Sequence, residues 1–318
     1  MFLESFKVTG LAVAQIFILG VIGYFLVKKN ILGQSGLDTL SRLAIEVTFP
    51  AMIFCQLIRD FSFKLYPFWW VYPLISIAIT IAGLAVGSIF VFFIRGRENK
   101  VQFLSLITFQ NSGYLPLALT AALLPAEQAG TIFIYLFLFL LGFNLIMFSF
   151  GVYLLFLAKS RKFEWLSLFS PPVLATLVTM LLVLIGFNKI LPDFVFRPLK
   201  LVGDCTLPLA IFVVGGNLAQ IQLRNIDKRA MFLLVLAKLI ILPLIGLFFL
   251  TKFKIPELIG LLLLIELAVP SATTLSVLVR HYKKEDLLIS QGVFLSHIFS
   301  IITLPLFLSL YFILFMLR

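Results

Sequence analysis

Two stretches decide how this chain is read: Glu46-Val47-Thr48-Phe49-Pro50-Ala51-Met52-Ile53-Phe54 and, 158 residues later, Asp204-Cys205-Thr206-Leu207-Pro208-Leu209-Ala210-Ile211-Phe212. Each has an acid four residues before a proline, a threonine two before it, and an Ile-Phe pair three and four after it. A motif that recurs at this distance is an internal repeat. Both copies sit in long apolar stretches, where a carboxylate and a helix-breaking residue are costly and need a reason. Duplicated halves in a membrane-embedded chain point first to transport.

Composition supports a bilayer setting. The 318 residues are 62% hydrophobic and 12% charged, with 36 Phe, against about 25% charge in a soluble domain. Ten apolar stretches are near the ~20 residues needed to cross hydrocarbon: 8–27, 39–58, 67–94, 101–124, 131–157, 171–187, 198–218, 230–250, 257–280 and 287–316. The first is expected to be a retained helix rather than a cleaved leader, because Lys28 and Lys29 follow its apolar core. The repeat relates span two to span seven, so the chain divides into halves of five spans, 1–160 and 161–318. An odd number of spans per half inverts the second half relative to the first. The expected fold is all-α, with ten transmembrane helices in two inverted five-helix repeats.

The net charge of +11 is explained by topology. Loops after odd-numbered spans, with Arg42 beside the first, hold Lys28, Lys29, Arg42, Arg95, Arg97, Lys100, Lys159, Arg161, Lys162, Arg224, Lys228, Arg229, Arg280, Lys283 and Lys284. The opposite side holds nine basic residues, and Lys238 falls within a span. Positive charge collects on the cytoplasmic side, which predicts both termini outside the cytoplasm of a plasma or bacterial inner membrane. Ordinary topogenic charge accounts for this excess better than nucleic-acid binding does. Cys55 and Cys205 both fall in apolar spans and read as small core residues. There is no GxxxxGK[ST] loop, so transport is expected to be passive or driven by a gradient. There is also no HExxH site, and Leu201-Val202 before Gly203-Asp204 rules out a GxGD aspartyl signature, so enzymatic function is not expected.

Span four contains Thr108-Phe109-Gln110-Asn111-Ser112-Gly113-Tyr114-Leu115-Pro116, and span nine contains Glu266-Leu267-Ala268-Val269-Pro270-Ser271-Ala272-Thr273-Thr274. Polar runs beside a proline are poor material for a lipid-facing helix and predict breaks. Two such segments in equivalent places of the two halves point to a binding site near the midplane. Gln110, Asn111, Ser112, Gly113, Pro116, Pro270, Ser271 and Thr273 are the candidate substrate contacts. Glu266, Glu46 and Asp204 are the candidate ion-coupling acids, because a buried unpaired charge costs ~2.5–3.5 kcal/mol on insertion scales. Lys238 reads as a partner for one of these acids or as an attractor of an anionic substrate, His297 as a core histidine or a proton relay, and Asn144 and Asn217 as residues bonding across helices. No cofactor is expected beyond a sodium ion or proton as coupling ion.

Four segments, Gln110–Pro116, Ser170-Pro171-Pro172-Val173-Leu174-Ala175-Thr176-Leu177, Gly203–Ala210 and Ala268–Thr273, together resemble the auxin efflux carrier family. The length and short central loop are similar to its prokaryotic members. The resemblance implies a fold shared with bile acid/sodium symporters, with helices four and nine breaking and crossing at Pro116 and Pro270. It also implies a scaffold of helices one, two, six and seven that often dimerises, and a mobile transport domain from helices three to five and eight to ten. The implied substrates are small organic anions, auxin or dicarboxylates, with Asn111 as the substrate contact. The alternatives are a sodium-coupled carrier of bile-acid-like anions and a sensor built on the same fold.

Overall fold

The structure, a computed structural model, describes residues 2–155, 168–281 and 287–316. The expected boundary between halves at 160/161 and the basic residues Lys159, Arg161, Lys162, Lys283 and Lys284 lie outside the described residues. The described chain is all-α: α1 (Phe2–Lys28), α2 (Gln34–Asp60), α3 (Val71–Phe93), α4 (Arg97–Thr108), α5 (Tyr114–Leu123), α6 (Ala126–Leu155), α7 (Pro171–Leu184), α8 (Asp193–Ala219), α9 (Lys228–Lys252), α10 (Glu257–Ala268), α11 (Thr273–His281) and α12 (Leu287–Phe315). Among these, seven are long and apolar enough to cross a membrane: α1, α2, α3, α6, α8, α9 and α12. The expected spans four and nine are each two shorter helices, α4 with α5 and α10 with α11. The sixth is the short apolar α7, opened by Pro171 and Pro172 in the first turn, where a missing N–H costs nothing.

The first acid-and-proline motif, and a proline without an acid in α9, act on local backbone. Pro50 has no N–H for the carbonyl of Glu46, and Pro243 none for that of Leu239. Each follows a loosened π-helical segment, Ala44–Thr48 in α2 and Leu236–Ile241 in α9. The wider turn falls where the proline leaves a carbonyl unpaired. In the second copy, α8 is interrupted at Cys205, directly after Asp204.

Packing rests on small residues where helix backbones meet, the usual solution when lipid supplies no hydrophobic drive between helices. α1 lies along α8, with Gly23 against the backbone of Phe212 and Gly215 against the carbonyl of Gly20. α2 packs on both α7 and α8, with Gly203 placed so that a Cβ would stand 2.8 Å from Met52 Cα. α3 packs on α4 and α6. Large apolar side chains elsewhere, among them Leu11, Ile18, Phe92, Leu181 and Phe194, point outward, as a lipid-facing perimeter requires. Of the two cysteines expected in the core, Cys55 is buried and Cys205 is exposed on α8.

Gly215→Ala places a methyl group on the backbone of Gly20 and is expected to destabilise the protein by about 1–3 kcal/mol, the usual cost of overpacking. Gly10→Ala on the same helix pair meets open space and is expected to be neutral or stabilising. Thermal unfolding of the purified variants checks the contrast.

Candidate functional site

The two broken helices meet at their breaks. α4 ends at Thr108 and α10 at Ala268, and the connecting residues run past each other antiparallel, with Gln110 paired opposite Ser271. Two backbone bonds join them: the Asn111 N–H donates to the Pro270 carbonyl at 2.9 Å, and the Ala272 N–H to the Phe109 carbonyl at 3.0 Å. The last carbonyls of α4, which lose their intrahelical donors here, are capped in trans. The Ser271 hydroxyl donates to the Leu106 carbonyl at 2.7 Å, and the Lys238 ammonium of α9 donates to the Ile107 carbonyl at 3.0 Å. The Ser271 N–H in turn donates to Ser296 Oγ of α12 at 3.2 Å.

Sequence-predicted residues gather tightly around this crossing. Gln110 is fully buried, with its Nε2 3.4 Å from Glu266 Oε2, and the Ser112 hydroxyl faces the same carboxyl without reaching hydrogen-bond geometry. Glu266 is 0% exposed, and its Oε1 has no hydrogen-bond partner. Pro116 lies in the first turn of α5, where its ring is tolerated. Gly113 precedes α5, and Thr273 opens α11. Both of these half-helix N-termini line one cavity of about 140 Å³, together with Gln110, Asn111, Ser112 and Asn144. Unpaired N–H groups and the helix dipoles make such a cavity favourable to negative charge.

His297, read from sequence as a core histidine, is fully buried and bonds to Asn111, with the amide Nδ2 3.2 Å from its Nε2. Its Nδ1 is 2.8 Å from the Val293 carbonyl. That carbonyl can only accept, so Nδ1 carries the proton and Nε2 accepts from Asn111 in the neutral ring. Nothing local in the sequence flags this pairing, because 186 residues separate the partners. On its far side His297 borders a second, apolar cavity of about 310 Å³ between α1, α8 and α12.

Glu46 and Asp204 are not brought to the crossing. Glu46 is exposed on α2, and Asp204 pairs with Lys200 at 2.7 Å on the exposed face of α8. Asp193, Arg197, Lys200 and Asp204 recur at about one helical turn, with Arg59 also paired to Asp193 at 2.9 Å. Arg59, Asp60, Lys200 and Asp204 line a third cavity of about 410 Å³. The described residues contain no cluster of His, Cys, Asp and Glu that would hold a metal ion.

Ser271→Ala strands the buried Leu106 carbonyl and is expected to cost about 1–3 kcal/mol, read as a lower unfolding temperature. Thr120→Val removes a buried hydroxyl that has no partner and is expected to leave stability unchanged or raise it.

The two broken helices lie far apart in sequence, and comparison with known proteins finds two matches along the chain. A family model described as membrane transport protein matches residues 9–164 and again residues 154–308. No curated protein matches the chain. The first match contains the break between α4 and α5, and the second that between α10 and α11. Matched in two consecutive units over nearly its whole length, the chain belongs to the auxin efflux carrier family of membrane transport proteins.

Proposed function

We infer that this membrane transport protein is a secondary carrier of small organic anions, carboxylates such as auxin or dicarboxylates. The observation that carries the reading is the convergence of the N-termini of α5 and α11, with the Asn111 side chain, on one cavity. Two positive helix ends and an amide recognise a carboxylate without a basic residue in the pocket. A cavity of about 140 Å³ suits a molecule of few heavy atoms better than a sterol-like anion, since a water molecule alone takes ≈ 30 Å³ of liquid volume.

In this reading α4 with α5 and α10 with α11 each count as one span, giving ten spans in two inverted halves of five. α1, α2, α7 and α8 form the scaffold, in keeping with the packing of α1 on α8 and of α2 on α7 and α8. α3 to α6 and α9 to α12 form a transport domain that carries the crossing past the scaffold by an elevator-like motion, exposing the cavity to one side and then the other. The scaffold's outer apolar face, with Leu177, Leu181 and Leu201 exposed, pairs two copies as a homodimer. Both termini lie outside the cytoplasm, and Glu266 is the coupling acid, with a proton or sodium as its ion.

The test is uptake of a labelled dicarboxylate panel, auxin included, into liposomes containing the purified protein, under sodium and proton gradients imposed separately. Saturable uptake of at least one small carboxylate is expected. Asn111→Ala is expected to weaken it about ten- to a hundredfold, the loss of one hydrogen bond to a charged group at ≈ 1.5–3 kcal/mol, in a protein that still folds but unfolds at a somewhat lower temperature, because the buried His297 Nε2 loses its donor. Full activity in that variant overturns the assignment of the pocket, and tight binding of an anion without flux turns the protein into a sensor. His297→Gln, which keeps a hydrogen-bonding group beside Asn111, is expected to retain more uptake than His297→Ala.

A further inference from the structure

The anion cavity and the charged cavity beside Arg59 lie on the same two helix faces. On α2, Phe49 lines the first, and Met52, Gln56 and Arg59 line the second. These positions step by three, four and three residues, so they share one face of the helix. On α6, Leu140, Asn144 and Met147 line the first cavity and Phe133 the second, with Phe137 between them at the same stepping. One boundary between α2 and α6 therefore has a cavity at each end. The ten residues from Phe49 to Arg59 span about 15 Å at 1.5 Å per residue.

Aromatic rings fill the stretch between. Phe137 is fully buried, with its ring centroid 6.0 Å from that of Phe49 and 6.3 Å from that of Phe133. Past these rings, toward the end of α2, the lining becomes charged: Arg59, Asp60, Lys200 and Asp204. The acids are answered locally. Asp204 accepts from Lys200 at 2.7 and 2.8 Å, Asp60 accepts from Gln56 Nε2 at 2.6 Å, and Asp193 accepts from both Arg59 and Arg197. The Arg59 guanidinium rests on the Phe196 ring, 3.7 Å from its centroid, and within the described residues only its Nη2 donates, to Asp193. A guanidinium carries five N–H donors in a fork that matches a carboxylate. Most of those of Arg59 are left for an acceptor that enters the cavity, and its side chain and that of Lys200 are both more than half exposed.

We propose that this cavity of about 410 Å³ is a second station for the small organic anion, where Arg59 and Lys200 receive its carboxylate at the far end of the α2–α6 boundary, with the rings of Phe49, Phe137 and Phe133 standing between the two stations. The inference rests on the carrier reading and extends it. α2 and α8 belong to the scaffold, so both cations stay in place while the crossing moves toward them or away. In the orientation proposed above, they meet the anion on the side away from the cytoplasm.

The experiment reads initial uptake of labelled succinate, glutarate and auxin, each well below half-saturation, into liposomes containing the purified full-length protein. It is run at about 0.01 M and about 0.15 M salt, where the screening length is about 30 and about 8 Å. Wild-type uptake is expected to fall about threefold or more between the two. Arg59→Gln and Lys200→Gln are each expected to lower uptake at low salt about fivefold or more and to flatten its salt dependence. Arg59→Lys, which keeps the charge, is expected to retain more uptake than Arg59→Gln. Arg197→Gln removes a cation from the same ladder and the same acid, but position 197 does not line the cavity. That variant is expected to stay within about twofold of wild type with its salt dependence intact, and all four to unfold within about 4 °C of wild type, the cost of one exposed ion pair. Uptake that responds to Arg59→Gln and Lys200→Gln no more than to Arg197→Gln overturns the second station and leaves the carrier reading standing. A loss that keeps the wild-type salt dependence, or that follows a lower unfolding temperature, also overturns it and assigns the ion pairs to structure. If Arg59→Gln does not fold, Lys200→Gln and Arg59→Lys decide by the same criteria. Absence of wild-type uptake for every anion removes the carrier reading and the station with it.

Discussion

Two backbone hydrogen bonds, Asn111 to Pro270 and Ala272 to Phe109, hold the centre of this molecule. A bilayer tolerates non-helical backbone only where protein or water satisfies its polar groups, and each broken helix supplies what the other lacks. The non-helical residues 109–113 could not survive alone in an apolar setting. Paired with residues 269–272 they form the shortest possible piece of sheet, one antiparallel bridge. Everything chemically active follows from that exchange. The two freed N-termini converge on one side, and the stranded carbonyls of α4 lie on the other, where Ser271 and Lys238 cap them. Pulling the two segments apart would leave four buried groups unpaired at once, so any motion has to carry the crossing as a block.

Much of this was readable in the sequence because breaking a membrane helix demands particular residues. Proline without an N–H, glycine without a side chain and a run of Gln, Asn and Ser are hard to explain in any other role, and they marked both breaks, although the first crosses at Gln110 and Asn111 and not at Pro116, which lies inside α5. The repeated acid-and-proline motif pointed to a duplication, and the family model matches the chain twice. It misled on the site: Glu46 and Asp204 share a motif and an exposed position, and neither approaches the crossing. Motif symmetry reports duplication, whereas proximity depends on which helices pack together. The His297–Asn111 bond and the placement of Lys238 are of that second kind. Each joins residues more than a hundred positions apart, with no local pattern to announce it.

The glycines divide the molecule mechanically as well. Where α1 meets α8 the backbones touch through Gly23 and Gly215, a seam with no side chains to rearrange. Between α1 and α12, by contrast, larger residues such as Phe17, Phe294 and Ile298 border an apolar cavity. Backbone contact fixes helices relative to each other, while side chains around open space can be repacked at lower cost. The α1–α8 seam is therefore rigid where the backbones touch, and the cavity opens beside it, with α1 still tied to α12 through Thr9 and Ser309.

The charged ladder on α8 has an electrical consequence. Asp193, Arg197, Lys200 and Asp204 mark a stripe along a helix of 12 residues, roughly 16 Å from first to last at 1.5 Å per residue, beside a cavity lined by Arg59 and Asp60. Charged side chains more than half exposed along one helix face attract water, and water conducts where hydrocarbon insulates. Where water follows that stripe into a bilayer, the transmembrane voltage falls across less than the full thickness of about 30 Å. Any charge displaced through the remaining thickness meets a steeper field than an evenly insulating slab would give it.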